Sequence, residues 1–136
     1  MRLILALFII LGSLPTEPVK ASQTNDPTYI RVMSFNIRYD EPRDGENAWP
    51  NRKKLVASLI RFHHVDIIGV QEALKGQLDD LSELLPEYAW LGVGRGDGKS
   101  AGEFSAIFYR RSRFKSLESS TFWLSETPDV PSKGWD

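Results

Sequence analysis

Apolar periodicity changes twice between Tyr29 and Glu72, and this limits the possible folds more than any other feature of the chain. "YIRVMSFNIRYD", Tyr29 to Asp40, alternates, with Ile30, Val32, Ser34 and Asn36 on one face and Arg31, Met33, Phe35 and Ile37 on the other. That is the period of a strand. From Pro50 to Phe62 the spacing turns helical, with Leu55, Val56, Leu59 and Ile60 on one side and Pro50 suited to a first turn. Val65 to Glu72 is again a strand. A second helix is expected around Leu74 to Leu85, on a stripe of Leu74, Leu78, Leu81 and Leu85. "YAWLGVG", "EFSAIFYR" and "FKSLESSTFWLS" read as three further strands, with "EPRDGENAW" and "RGDGKSAG" as loops. The expected order is β-α-β-α-β-β-β, an α/β layered domain and not a bundle.

The second strand, "DIIGVQE", ends on Gln71 and Glu72. An apolar strand does not readily finish on a carboxylate, because an unpaired buried charge is costly. Taken alone, Glu72 reads as an acid at a helix start, and Asn36 as a turn-former at the end of the first strand. Taken together they say more, since ligands of open α/β sheets sit beyond the carboxyl ends of the strands. If the two strands are neighbours, both side chains project into one crevice. One carboxylate and one neutral amide make a sparse donor set, of the kind that suits magnesium, which keeps several waters and takes phosphate oxygens.

"MSFNIRYD", "DIIGVQEA" and "GEFSAIFYR" resemble the first three signatures of the endonuclease/exonuclease/phosphatase superfamily of metal-dependent phosphoesterases. "TFWLSETPDVPSKGWD" is similar to its secreted bacterial branch, and the resemblance runs from about Ile30 to Asp136. It implies a layered sandwich of two packed sheets, of which this chain supplies one sheet and its helices as the N-terminal part. It implies magnesium, with manganese as a substitute, on Glu72. Asn36 corresponds to the Asn lining the metal and phosphate site, a metal-contacting and catalytic position. Arg95 and Glu103 fall on a loop at the mouth of the site, within reach of substrate. Two departures stand out. Where the abasic-site nucleases carry an Asp two residues after the Asn, this chain has Arg38, which favours a phosphoester other than DNA damage. The family's later motifs, with their Asp, Asn and His, do not occur here, so the 136-residue chain is expected to be inactive without the missing C-terminal half. His63 and His64 fall where the first helix should end, and read as helix-terminal groups.

Other motifs carry less. "GVGRGDGKS" lacks the spacing of a phosphate-binding P-loop, since the position five before Gly98 is Val93, and a strand follows where a helix is required. "RGD" at Arg95 to Asp97 reads as a polar turn. In "ENAWPNRK", Asn47, Trp49 and Arg52 read either as a packed helix start or as a cluster in which Arg52 holds a carboxylate or phosphate near Glu72.

The segment "MRLILALFIILGSLP" has a charged start, an apolar run too short to span a bilayer, and "VKA" before a cut after Ala21. Residues 1–21 are therefore expected to be a cleaved signal, 22–28 a linker and 29–136 the domain part, in a secreted or periplasmic protein without stable membrane insertion. No cysteine is present, so no disulfide compensates for a small core. The net charge of −1 argues weakly against long nucleic acids. The substrate classes that remain are nucleic acid, sugar phosphate and inositol phosphate. The competing reading is a secreted, non-catalytic binding module that uses the loops around Trp49 and Arg95.

Overall fold

The computed structural model describes residues 29–134, so the expected signal and linker lie outside the described residues. Strand β1 (Val32–Asn36) leads through a short 3-10 helix (Pro42–Asn47) into α1 (Trp49–Phe62). Strand β2 (Ile67–Ala73), helix α2 (Lys75–Leu84) and strands β3 (Tyr88–Leu91) and β4 (Phe104–Arg110) follow. The sheet order is β1-β2-β4-β3. β1 and β2 are parallel, as their helical crossover permits, and β4 runs antiparallel to both β2 and β3. The chain thus carries β3 to the sheet edge and returns with β4 to fill the place beside β2.

Both helices cover one face of the sheet. Ile68, Val70, Phe104, Ala106 and Phe108 point into that layer and form one core with Val56, Ala57 and Ile60 of α1 and Leu78 and Leu81 of α2. The other face carries Val32 and Ile107, 70% and 42% exposed. This matches one sheet of a sandwich with its flanking helices. Among the described residues no helix is long and apolar enough to cross a membrane.

Three expectations are corrected. The fifth strand does not form: residues 114–125 are irregular, with Leu117, Phe122 and Leu124 exposed. A strand needs a paired neighbour for its backbone groups, and neither sheet edge takes this segment. The loop "EPRDGENAW" contains a 3-10 helix, begun by Pro42 and capped by the Glu41 carboxylate, which accepts from the Arg43 N–H. The buried side of α1 is rotated from the expected stripe. Trp49, Val56, Ala57 and Ile60 are buried, whereas Leu55 and Leu59 are exposed.

Trp49 anchors the rotation. Its Nε1 donates to Asp80 Oδ2 at 2.8 Å, and Lys53 Nζ reaches Asp80 Oδ1 at 2.7 Å, tying α1 to α2. Hydrogen bonding from Lys53 and then Trp49 holds the Asp80 carboxyl below the usual carboxylate range. Trp49→Phe keeps most of the apolar contact but removes the donor. It is expected to cost about 1–2 kcal/mol, read as a lower urea midpoint with an unchanged slope.

Candidate active site

The parallel pairing puts the carboxyl ends of β1 and β2 side by side, with Asn36 in register with Gln71. Beyond Val70, β2 carries a bulge. Val70 pairs with Ala106 and Ala73 with Phe104, so three steps along β2 match two along β4. In a regular strand residue 72 would share the helix-covered face with Ile68 and Val70. The extra residue gives that buried place to Ala73 and releases Glu72 from the core. Glu72 adopts a left-handed backbone, φ 60°, to do so. The bulge is thus the local answer to an apolar strand that ends on a carboxylate.

Asn36 meets it there. Its Nδ2 donates to Glu72 Oε1 at 2.8 Å, and its Oδ1 accepts from the Arg38 N–H at 2.9 Å. The amide orientation is fixed by a donor on one side and an acceptor on the other. Arg38 also has a left-handed backbone, φ 58°, and its guanidinium grips Asp44 through two bonds of 3.0 and 3.2 Å. That bond raises the Arg38 pKa and lowers that of Asp44. The side chain therefore sits on the 3-10 helix.

A second group closes one side. Gly94 is buried where a Cβ would lie 2.3 Å from the Ala101 carbonyl oxygen, and this close approach folds the 95–102 loop back on itself. Asp97 accepts from the N–H groups of Lys99 and Ala101 at 2.8 and 2.9 Å, so the "RGD" is a turn. Arg95 and Glu103 pair at 3.1 Å, and the Arg95 carbonyl accepts from Trp123 Nε1 at 2.8 Å. Glu72, Arg95, Glu103, Phe104 and Trp123 line one open pocket of about 380 Å³.

The structure thus brings Glu72, Arg95 and Glu103 into one pocket, with Asn36 hydrogen-bonded to Glu72. Arg52 is not in that lining. Its Nη1 donates to the Ile37 carbonyl at 2.9 Å, its Nη2 to the Arg38 carbonyl at 3.5 Å, and its Nε to the carbonyl of Asn47. It braces the chain leaving β1, and its ring partner is Trp49, 5.7 Å away. His63 caps the C-terminus of α1, at the opposite end of β2 from Glu72. Sequence reasoning missed Gln77, which is 1% exposed and makes three side-chain hydrogen bonds beside the site.

Among the described residues no three His, Cys, Asp or Glu side chains converge as a metal cage. A zinc site needs such a set. Magnesium does not, because one carboxylate with waters and phosphate oxygens suffices. A carboxylate turned out of the sheet into a pocket that also holds Glu103, Ser105 and Thr121 fits that ion.

Residues 33–133 match the Endonuclease/Exonuclease/phosphatase family. A solved endonuclease/exonuclease/phosphatase from Bacteroides vulgatus is 51% identical, with a TM-score of 0.77 over 79% of this chain and 41% of that one. A mannosyl-6-phosphatase of Bacteroides thetaiotaomicron is 48% identical, with the same TM-score and coverage. An uncharacterised protein of Acanthamoeba polyphaga mimivirus is 33% identical over 91 residues, 64% of this chain and 34% of that protein. The chain spans about two fifths of the length of these solved relatives. By sequence and by fold, it belongs to the endonuclease/exonuclease/phosphatase family, a family of phosphoesterase-type hydrolases.

Proposed function

We propose that the protein is a magnesium-dependent phosphatase of small phosphorylated sugars, working outside the cytoplasm, and that the described residues form the first half of its site. The observation that carries this is the bulge that turns Glu72 out of the core, against Asn36 and into the pocket of Arg95. The sugar phosphate is favoured by the 48% identity to a mannosyl-6-phosphatase. The export follows from the leader-like residues 1–21.

Magnesium, or manganese in its place, supplies Lewis-acid stabilisation of charge on phosphoryl and leaving-group oxygens when bound at Glu72. Asn36 fixes the Glu72 carboxylate by donating to Oε1 and so sets where its other lone pairs point. Arg95 donates to the non-bridging phosphate oxygens, for which a guanidinium fork is well shaped. Glu103 holds Arg95 in place and accepts from sugar hydroxyls once the phosphate has drawn that fork away. Arg52 acts indirectly, by bracing the Ile37 and Arg38 carbonyls beside Asn36. The base that takes the proton from attacking water belongs to the C-terminal half of the domain, which also covers the open sheet face. The 136-residue chain alone is therefore inactive.

The test uses the full-length protein with magnesium or with chelator. Phosphate release from hexose 6-phosphates, inositol phosphates and single-stranded DNA is compared. Chelator-sensitive release that is fastest on the hexose phosphates is the expected result. Cleavage of DNA alone would replace the phosphatase by a nuclease, and no release from any substrate would favour the binding module.

A further inference from the structure

Gln77 lies in the first turn of α2, and its side chain is buried. Its Oε1 accepts from two backbone N–H groups, those of Leu74 and Asp40, each at 3.0 Å. Its Nε2 donates to the Arg38 carbonyl at 2.9 Å. A buried amide satisfied three times over is a specific device. The bond to Leu74 is ordinary helix capping, since a Gln at the third helical position commonly reaches back to the cap. The bonds to Asp40 and Arg38 are not. They join a segment 37 and 39 residues earlier in the chain.

The two segments so joined are the exits from the site. Arg38 and Asp40 lie two and four residues after Asn36, and Leu74 lies two after Glu72. Each exit contains a non-glycine residue in the left-handed region, Arg38 at φ 58° and Glu72 at φ 60°. Such conformations persist where the surroundings over-determine them. The Asn36–Glu72 hydrogen bond is exposed, so water competes for it and it cannot hold the two exits by itself.

We propose that Gln77 is a positioning residue, one amide that locks the β1 exit to the β2 exit and thereby sets Asn36 against Glu72. This rests on the proposed metal site for its consequence, but not for the lock itself. Gln77→Glu keeps the shape and both accepting bonds yet places a carboxylate against the Arg38 carbonyl. Gln77→Met keeps the volume and loses all three bonds. Neither changes a group in the pocket.

The full-length protein is compared with Gln77→Met, Gln77→Glu and, as a control for lost stability, Tyr88→Phe. Tyr88 donates to the Val65 carbonyl at the opposite end of β2. Magnesium binding is measured by calorimetry without substrate. Both Gln77 variants should bind about tenfold or more weakly, in the range for loss of a group that orients a metal ligand. Tyr88→Phe should bind as the parent does. Gln77 variants within twofold of the parent would overturn the inference. Amide hydrogen exchange in the unchanged protein tests the lock independently of metal and of variant folding. The Asp40 and Leu74 amides should exchange slowly and at matching rates. Free exchange at Asp40 would refute the lock, whereas a slow pair in a protein that binds no magnesium would leave the lock standing and refute the metal site.

Discussion

Glu72→Gly in the full-length protein is expected to abolish phosphate release and to leave the fold at least as stable as before. The loss follows from the proposed role. Metal stabilisation of a phosphoryl transition state is worth several kcal/mol, and each 1.4 kcal/mol is tenfold in rate, so a fall of about a thousandfold or more is expected. The stability result follows from the backbone. Glu72 has φ 60°, where an L side chain is disfavoured by about 1–2 kcal/mol and glycine is not. Glycine also loses more freedom on folding, so the net gain is up to about 1 kcal/mol. Glu72→Ala serves as the partner variant, since it removes the carboxylate but keeps the strained Cβ. Both should be inactive, and the glycine variant should melt at the higher temperature. A glycine variant less stable than the alanine variant would show that the bulge is not strained.

Asp66→Ala is expected to cause the largest loss of stability, about 3 kcal/mol. Asp66 sits just before β2 and is 2% exposed. Its carboxylate accepts from the Arg31 N–H at 3.0 Å and from Arg113 at 2.6 Å, with Arg110 at 3.5 Å. Arg113 also reaches the Tyr29 carbonyl, and Arg110 the Val65 carbonyl and the Tyr88 hydroxyl. One carboxylate thus gathers the start of β1, the start of β2 and the end of β4. Burial by itself pushes the Asp66 carboxyl up. The Arg31 and Arg113 hydrogen bonds and the two guanidinium charges outweigh it, and the net position is below the usual carboxylate range. Because the folded value lies below the unfolded one, the unfolded chain binds more protons in that interval and stability rises with pH. The contribution is complete above about pH 4 and is lost as pH falls through the folded value. Urea titrations should show the alanine variant's deficit shrinking toward acid pH. A deficit that stays constant from neutral to strongly acid pH would rule out the charged interaction as its source.

Much of this architecture was legible because local periodicity decides it. The alternation of β1 holds over Val32–Asn36, and of the expected stripe Leu78, Leu81 and Leu85 are fully buried, whereas Leu74 is only partly buried at the cap position before α2. Asn36 and Glu72 were legible as a pair because both fall at the carboxyl ends of parallel neighbouring strands. What failed depends on partners far along the chain. Two adjacent stripes of α1 satisfy the helical period, and the choice between them falls to Trp49 bonding Asp80, 31 residues later. The strand order hides because β4 inserts between β2 and β3. The bulge leaves no mark in "DIIGVQE", since it exists only against Phe104 and Ala106. Gln77 was obscured because a capping pattern is sought after Ser, Thr, Asp or Asn, and the residue three before it is Leu74.

Strand β2 has unlike ends. The carboxylate at its start, Asp66, joins three strand termini, and the carboxylate near its finish, Glu72, faces the pocket. Six residues of extended chain separate them, about 20 Å. Changes that far apart and without shared partners act additively. The loops at the Glu72 end are thus free to diverge while the Asp66 end keeps the sheet assembled. An experimenter who first hardens the protein at one end of β2 inherits a tolerant background for altering the pocket at the other.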